Sequence, residues 1–180
     1  METKLITKTW KIDPTHSEIH FKVKHLMVST VTGSFDEFKG TVKTERDDFQ
    51  DAKISFATSV ASINTKNAGR DEDLKSDHFF NAEKFPEITF VSTSFKSIKK
   101  ESYKLHGNLT IRDKTKEIEL DVEFNGVVTD SYGNLKAGFQ LSGEINRKDF
   151  GLNYHAVTET GGLVVADKIK LEMNVQVVLS

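Results

Sequence analysis

The sequence contains no cysteine. Disulfide bonds, a thiolate nucleophile and metal sites built on cysteine are therefore excluded. Positive charge is not in excess either, because 25 Lys and Arg residues stand against 27 Asp and Glu residues, and the basic residues are dispersed. A chain without a basic patch is not built to contact phosphate backbones, so we expect no nucleic-acid partner.

Long apolar runs are also missing. The first ten residues hold no apolar core of a signal peptide, and no run approaches the roughly 18 apolar residues of a membrane helix. We therefore expect a soluble protein that is cytoplasmic as the sequence is given, and periplasmic if the true N-terminus is missing. Balanced charge and the lack of an amphipathic helix predict only transient membrane contact.

What the sequence does have is an alternation of apolar and polar residues. From Ile169 to Leu179 the odd positions are apolar, and from Lys168 to Gln176 the even positions are polar. One dry face and one wet face are typical of a strand in an antiparallel sheet. Comparable segments begin near these residues: Ile19, Val31, Ile54, Ile88, Tyr103, Ile118 and Leu135.

About eight such strands predict an all-β fold, an extended eight-stranded antiparallel β-barrel that forms a single domain over residues 1–180. Closure buries the apolar face and removes the sheet edges. A slip in the alternation between Phe35 and Phe38 indicates a bend or bulge. The polar segment 64–82 predicts a short helical crossover, and residues 147–166 form a second long connection, which we expect to act as a lid or plug. The strand lengths predict a barrel ~30 Å tall.

The predicted interior combines phenylalanine with very small residues. Phe occurs 13 times, against three Tyr and one Trp. The small residues on the inward faces are Gly33, Gly107, Ala137 and Gly143. They either leave room for a slender ligand or only relieve strand curvature.

Several motifs resemble those of the YceI-like family. They are WKIDPTHS (10–17), FKVKHLMVSTVTGSF (21–35), SINTK (62–66), RDEDLKSDHFF (70–80), FPEITF (85–90), GNLTI (107–111), GF (138–139) and INRKDFGL (145–152). The resemblance follows the family order over nearly the whole chain. It departs after Ile111, where DKTKE (113–117) replaces a turn of the Gly-Val-Thr-Lys-Pro type.

The resemblance implies a lipocalin-like barrel that holds a polyisoprenoid chain in a central tunnel, and it implies a homodimer. Many relatives carry a signal peptide and work in the periplasm, which this sequence as given does not match. The residues expected to line the apolar tunnel are Ile19, Phe21, Val23, His25, Phe35, Phe56, Phe90, Leu109, Phe139 and Leu141.

Each polar residue near the tunnel has two possible interpretations, a contact with the head group of a ligand or a structural contact. His25 shares a face with apolar neighbours, so it either contacts a ligand head group or is satisfied by structural contacts. Arg147 and Asp149 open the last long connection and either contact a head group or form a structural ion pair. The same two readings apply to Arg70 and Asp71.

Neither a metal site nor catalytic machinery is predicted. His16 and His20 would lie about 13 Å apart on a strand, too far to share a metal with ligand bonds of ~2 Å. Asp71, Asp73 and Asp77 lack the glycine and the ligand spacing of a calcium loop. The adjacent acids Asp47 and Asp48 sit in a turn without an apolar pocket, and no nucleophile has an evident base.

We therefore expect a binding module that solubilises or transports an amphiphilic isoprenoid lipid of the quinone or polyprenyl type, with no cofactor other than that ligand. The first alternative is an enzyme that modifies such a lipid, with His25 as acid and base. The second is a stress-linked barrel without a lipid ligand, its tunnel filled by its own phenylalanines.

Overall fold

The computed structural model of the chain describes residues 6–26, 28–46, 48–153 and 165–180. Within these residues the chain forms one sheet of antiparallel strands and one α-helix, α1 (Ala68–Lys75). The strands are β1 (Lys8–Ile12), β2 (Glu18–His25), β3 (Ser29–Phe35), β4 (Phe38–Thr44), β5 (Lys53–Ser59), β6 (Ile63–Asn64), β7 (Glu87–Lys99), β8 (Ser102–Ile111), β9 (Lys114–Thr129), β10 (Leu135–Asn146) and β11 (Val165–Leu179).

The sheet closes on itself through β11. One edge of β11 pairs with β10, and the other pairs with β2 along its first part and with β1 at its end. Strands β1 and β2 thus follow each other as one bent strand of the ring. In the same way, β3 and β4 form a second bent strand, and β5 and β6 form a third. The ring therefore has eight strands, and the predicted eight-stranded antiparallel barrel is confirmed.

The first strand bends at a turn that begins with Asp13. Its carboxylate accepts hydrogen bonds from the Thr15 main-chain N–H at 3.0 Å and from the Thr15 hydroxyl at 2.6 Å. Pro14 has no N–H to offer to a sheet ladder, which favours a break here. Across the break, the buried Ser17 hydroxyl accepts from the Gln176 N–H at 2.9 Å, so a side chain replaces one link of the ladder.

Other elements agree with the sequence pattern to different degrees. The break between β3 and β4 falls where the alternation slips, between Phe35 and Phe38. Helix α1 lies inside the predicted crossover, and its N-cap Asn67 accepts from the Arg70 N–H at 3.0 Å. Strand β1 was not predicted, because its five residues are too few to show a period. Most of the predicted lid, residues 154–164, lies outside the described residues.

The two ends of the barrel differ. At one end, here called the helix end, lie α1, the β2–β3 turn and the β8–β9 turn, whose Arg112 donates to the Phe79 carbonyl at 3.2 Å. At the opposite end Phe49, from the β4–β5 connection, is 2% exposed. Its ring lies between Trp10, Phe124 and Phe139, with centroids 5.3, 5.5 and 5.0 Å away. This aromatic cluster fills the end, which we call the aromatic end.

Helices contribute little to the architecture. In the part of the chain that the structure describes, none of them has the length and apolar character needed to span a bilayer.

Candidate functional site

A cavity of about 700 Å³ runs inside the barrel. This volume is within the range of small-molecule binding sites. The walls are largely apolar, so the phenylalanines do not fill the interior, contrary to the second alternative above. All ten residues predicted from the alternation line this cavity: Ile19, Phe21, Val23, His25, Phe35, Phe56, Phe90, Leu109, Phe139 and Leu141. That they bind a ligand stays a prediction.

Two of the small interior residues seat aromatic rings. A Cβ on Gly33 would lie 2.2 Å from Cζ of Phe21, and a Cβ on Gly107 would lie 2.2 Å from Cζ of Phe90. The end of each ring therefore occupies the space that a side chain on the neighbouring strand would fill. Neither Gly33 nor Gly107 lines the cavity, so the space beside each glycine is taken up by a ring.

Polar groups on the cavity wall gather around the helix end. They comprise Thr65, Arg70 and Asp73 on and before α1, and His25 at the end of β2. The imidazole of His25 makes no hydrogen bond to any residue that the structure describes. Two further wall residues, Thr41 and Thr58, lie on β4 and β5, where the Thr58 hydroxyl donates to the Glu37 carbonyl at 2.9 Å.

Thr65 anchors the first turn of the helix. Its hydroxyl donates to the Asp71 carboxylate at 2.5 Å and accepts from Nε of Arg70 at 2.8 Å, and Nη2 of Arg70 donates to the Thr65 carbonyl at 2.8 Å. The structural reading therefore applies to Asp71, which does not line the cavity. For Arg70 both interpretations, structural and head-group contact, stay open. Its side chain lies on the cavity wall, and its Nη1 has no partner among the described residues.

The contacts of Arg147 support its structural interpretation, and a head-group contact stays a prediction that the cavity lining does not support. Its side chain is 0% exposed, and its guanidinium donates to the carbonyls of Leu152 at 2.5 Å and Ala166 at 3.1 Å. It also pairs with Asp167 at 3.3 Å. These bonds tie the end of β10 to the start of β11. Asp149 is exposed and does not line the cavity either, so its position gives no support to a head-group contact.

The histidines of the N-terminal segment have separate surroundings. His16 lies 2.8 Å from Asp13, and His20 lies 3.1 Å from Glu18 on the outer face, while His25 points inward. Among the residues that the structure describes, no three His, Asp or Glu side chains are close enough together to hold a metal ion. The pair Asp47 and Asp48 is not testable, since Asp47 lies outside the described residues.

Some wall and end residues escaped the sequence reasoning. Phe49 sits in a polar turn and Trp10 in a short strand, so neither belongs to a visible alternation. Asp73 and Leu74 face the cavity from α1, a helix without a clear apolar stripe. The one available signal was a single aromatic residue, Phe49, in an otherwise polar connection.

Comparison with known proteins agrees with this architecture. A family model described as the YceI-like domain matches residues 10–177. A UPF0312 protein of Staphylococcus aureus (strain MSSA476) is 41% identical over 169 residues, which cover 93% of this chain and 96% of the relative. The chain belongs to the YceI-like family.

Solved structures show the same YceI-like barrel. The YCEI protein of Campylobacter jejuni is 33% identical, with a TM-score of 0.73, and the match covers 99% of this chain and 98% of that one. A polyisoprenoid binding domain from Saccharophagus degradans has a TM-score of 0.73 over 98% of this chain and 100% of its own. At 14% identity this second likeness shows the fold alone.

Proposed function

We propose that this YceI-like protein binds an amphiphilic isoprenoid lipid, of the quinone or polyprenyl type, inside its barrel and solubilises or transports it. The observation that carries the proposal is the 700 Å³ cavity with apolar walls and polar groups at one end. A similar barrel from Saccharophagus degradans is described as polyisoprenoid-binding, which supports the same ligand class.

The distribution of polar groups suggests how the ligand is oriented. The apolar tail would extend toward the aromatic end, where Phe49 and Phe139 line the cavity. The head group would remain at the helix end within reach of His25 and of Nη1 of Arg70. A guanidinium suits an anionic head group such as a phosphate, while His25 suits either a phosphate or a quinone carbonyl because its ring can donate or accept.

Energetics favour exchange with a membrane over release into water. Burial of each five-carbon unit is worth roughly 4 kcal/mol relative to water, at about 0.8 kcal/mol per carbon. A long isoprenoid would then exceed the practical affinity limit of about 20 kcal/mol. A bilayer interior is as apolar as the cavity, so transfer between the two is nearly neutral, as transport requires.

The bound lipid distinguishes a carrier from an enzyme. Native mass spectrometry of freshly purified protein, followed by solvent extraction, should find an intact isoprenoid lipid at about one per chain. Incubation with added lipid should leave its mass unchanged. A chemically altered product would favour the enzyme alternative, and protein without any lipid after purification from cells would count against the proposal.

We also propose the homodimer that the family resemblance implies. Light scattering coupled to size exclusion should then give twice the mass of the 20.3 kDa chain. A single species at the monomer mass would contradict it.

A further inference from the structure

The β2–β3 turn carries apolar side chains into solvent. Val28 is 87% exposed and Leu26 is 42% exposed, and we call these two residues the hairpin tip. The hairpin tip lies at the helix end of the barrel, directly after His25, whose side chain lines the cavity. Exposed apolar residues also occur elsewhere on the described surface, such as Ile98 and Val128, so the position of the hairpin tip beside the cavity is what sets it apart.

The backbone holds the hairpin tip in a conformation that suits other residues better. Leu26 has a φ of 54°, in the left-handed region that favours Gly and Asn. The turn is closed by hydrogen bonds to the His25 carbonyl from the Val28 N–H and from the Ser29 hydroxyl, both at 3.3 Å. A bulky residue at a strained, exposed position points to a use outside folding.

The hairpin is purely cationic. Between Glu18 and Asp36 the sequence has no acidic residue, although the whole chain has a net charge of −2. The same stretch carries Lys22 and Lys24. Lys22 pairs with Glu172 of β11 at 3.1 Å, whereas Lys24 is exposed next to the hairpin tip. An exposed lysine beside an apolar tip complements an anionic lipid surface.

The same hairpin continues into the cavity. Val23, His25 and Val31, which lie on either side of the turn, all line its wall. A lipid leaving a bilayer at the hairpin tip would therefore first meet Val23, Val31 and the imidazole of His25 on the cavity wall.

We propose that the hairpin tip inserts into the interfacial layer of an anionic phospholipid bilayer and holds the helix end of the barrel against it while lipid is exchanged. This inference rests on the proposed function. The contact surface is small, since it comprises the hairpin tip and the neighbouring Lys24, so binding is reversible, as the expected transient membrane contact requires.

The test compares two double variants by flotation with vesicles of phosphatidylcholine mixed with phosphatidylglycerol. Leu26→Asn with Val28→Ser removes the apolar groups and relieves the strain at Leu26. Val127→Ser with Val128→Ser is the matched control, because these residues are 43% and 64% exposed at the opposite end of the barrel. We expect the hairpin variant to lower the vesicle-bound fraction about tenfold, which corresponds to about 1.4 kcal/mol, and to slow lipid transfer between vesicles equally. The control should match the wild type.

The outcomes separate this inference from the proposed function. Flotation of the hairpin variant at the wild-type level would overturn the docking role, as would equal wild-type binding to vesicles of phosphatidylcholine alone. Native mass spectrometry of the same preparations reports the cargo. A hairpin variant that loses its lipid would show that the turn belongs to the binding site and not to a docking surface. Wild type that floats but carries no lipid would overturn the proposed function and keep the docking role.

Discussion

Gly107 and Gly33 determine how the aromatic side chains occupy the barrel wall. Each glycine accepts a phenyl ring from the adjacent strand, at distances that no Cβ tolerates. The end of the ring is then packed against the neighbouring strand, and a cavity of about 700 Å³ remains inside the barrel. Each glycine and the phenylalanine whose ring packs against it thus form one packing unit across two neighbouring strands, although the two residues look unrelated in the sequence.

We predict that Gly107→Ala destabilises the protein by about 1–3 kcal/mol. The new methyl group would overlap the Phe90 ring and would lie 2.8 Å from the carbonyl oxygen of Val91. This oxygen belongs to the main chain of a paired strand and cannot move aside. Urea unfolding measures the change. Gly138→Ala is the control, since its nearest neighbour would be 3.6 Å away. Equal stability of the two variants would show that the ring is free to move aside.

The inward-facing residues were predictable because alternation is a property of the strand backbone. All ten predicted wall positions follow from it. Arg147 could not be placed in the same way, since its position after a strand does not reveal that its guanidinium bonds to main-chain carbonyls. Arg70 was undervalued for a related reason, because a helix with no apolar stripe gives no sign of which face meets the cavity.

At the scale of elements, the bend between β1 and β2 depends on a charged turn. The hydroxyl of Thr15 and then the ring of His16, 2.8 Å away, hold the pKa of Asp13 at about 2, below its ordinary value of 3.8. A carboxyl group whose pKa is lowered by folding stabilises the fold at pH values above the unfolded pKa. That contribution is lost as the pH falls from about 4 toward 2.

Asp13→Asn should therefore be less stable than the wild type at neutral pH, and the difference should shrink steadily as the pH falls from about 4 to about 2. The amide keeps one oxygen to accept from the Thr15 N–H, whereas an NH2 group replaces the oxygen that faces His16 and Lys136, so the charge and its ion pairs are removed together. Urea unfolding between pH 2 and pH 7 measures the difference. Other acids titrate equally in both proteins and cancel. A difference that stays constant over this range would contradict the assigned role of the Asp13 charge.

The eight strands, the bend at Phe35–Phe38 and the helical crossover were visible in the sequence because each follows from backbone periodicity or its interruption. The closure of the aromatic end was not visible. It depends on Phe49, a single residue in a turn, and its contacts with Trp10 and Phe124 come from segments far apart in the chain.

At the scale of the whole molecule, the affinity of the cavity for an isoprenoid should depend on the length of the isoprenoid chain. Affinity should rise with the number of isoprenoid units until the interior of ~30 Å is full, and then level off, because further units find no apolar wall. A competition series of prenols against a fluorescent lipid measures this. Removing the head group, or changing His25→Ala, should cost about 1 kcal/mol, on the order of one hydrogen bond. A flat response to length with a large loss on head-group removal would favour the enzyme alternative.

The proposed function requires the lipid to lie inside the barrel, and one pair of variants tests this directly. Leu141 faces the cavity, and its neighbour Gln140 is exposed on the outer face of the same strand. Native mass spectrometry should find lipid on Gln140→Trp as on the wild type. Leu141→Trp should fold, as circular dichroism would show, but lose most of its lipid because the indole occupies the tunnel. Folded Leu141→Trp protein that retains the full complement of lipid would contradict the claim.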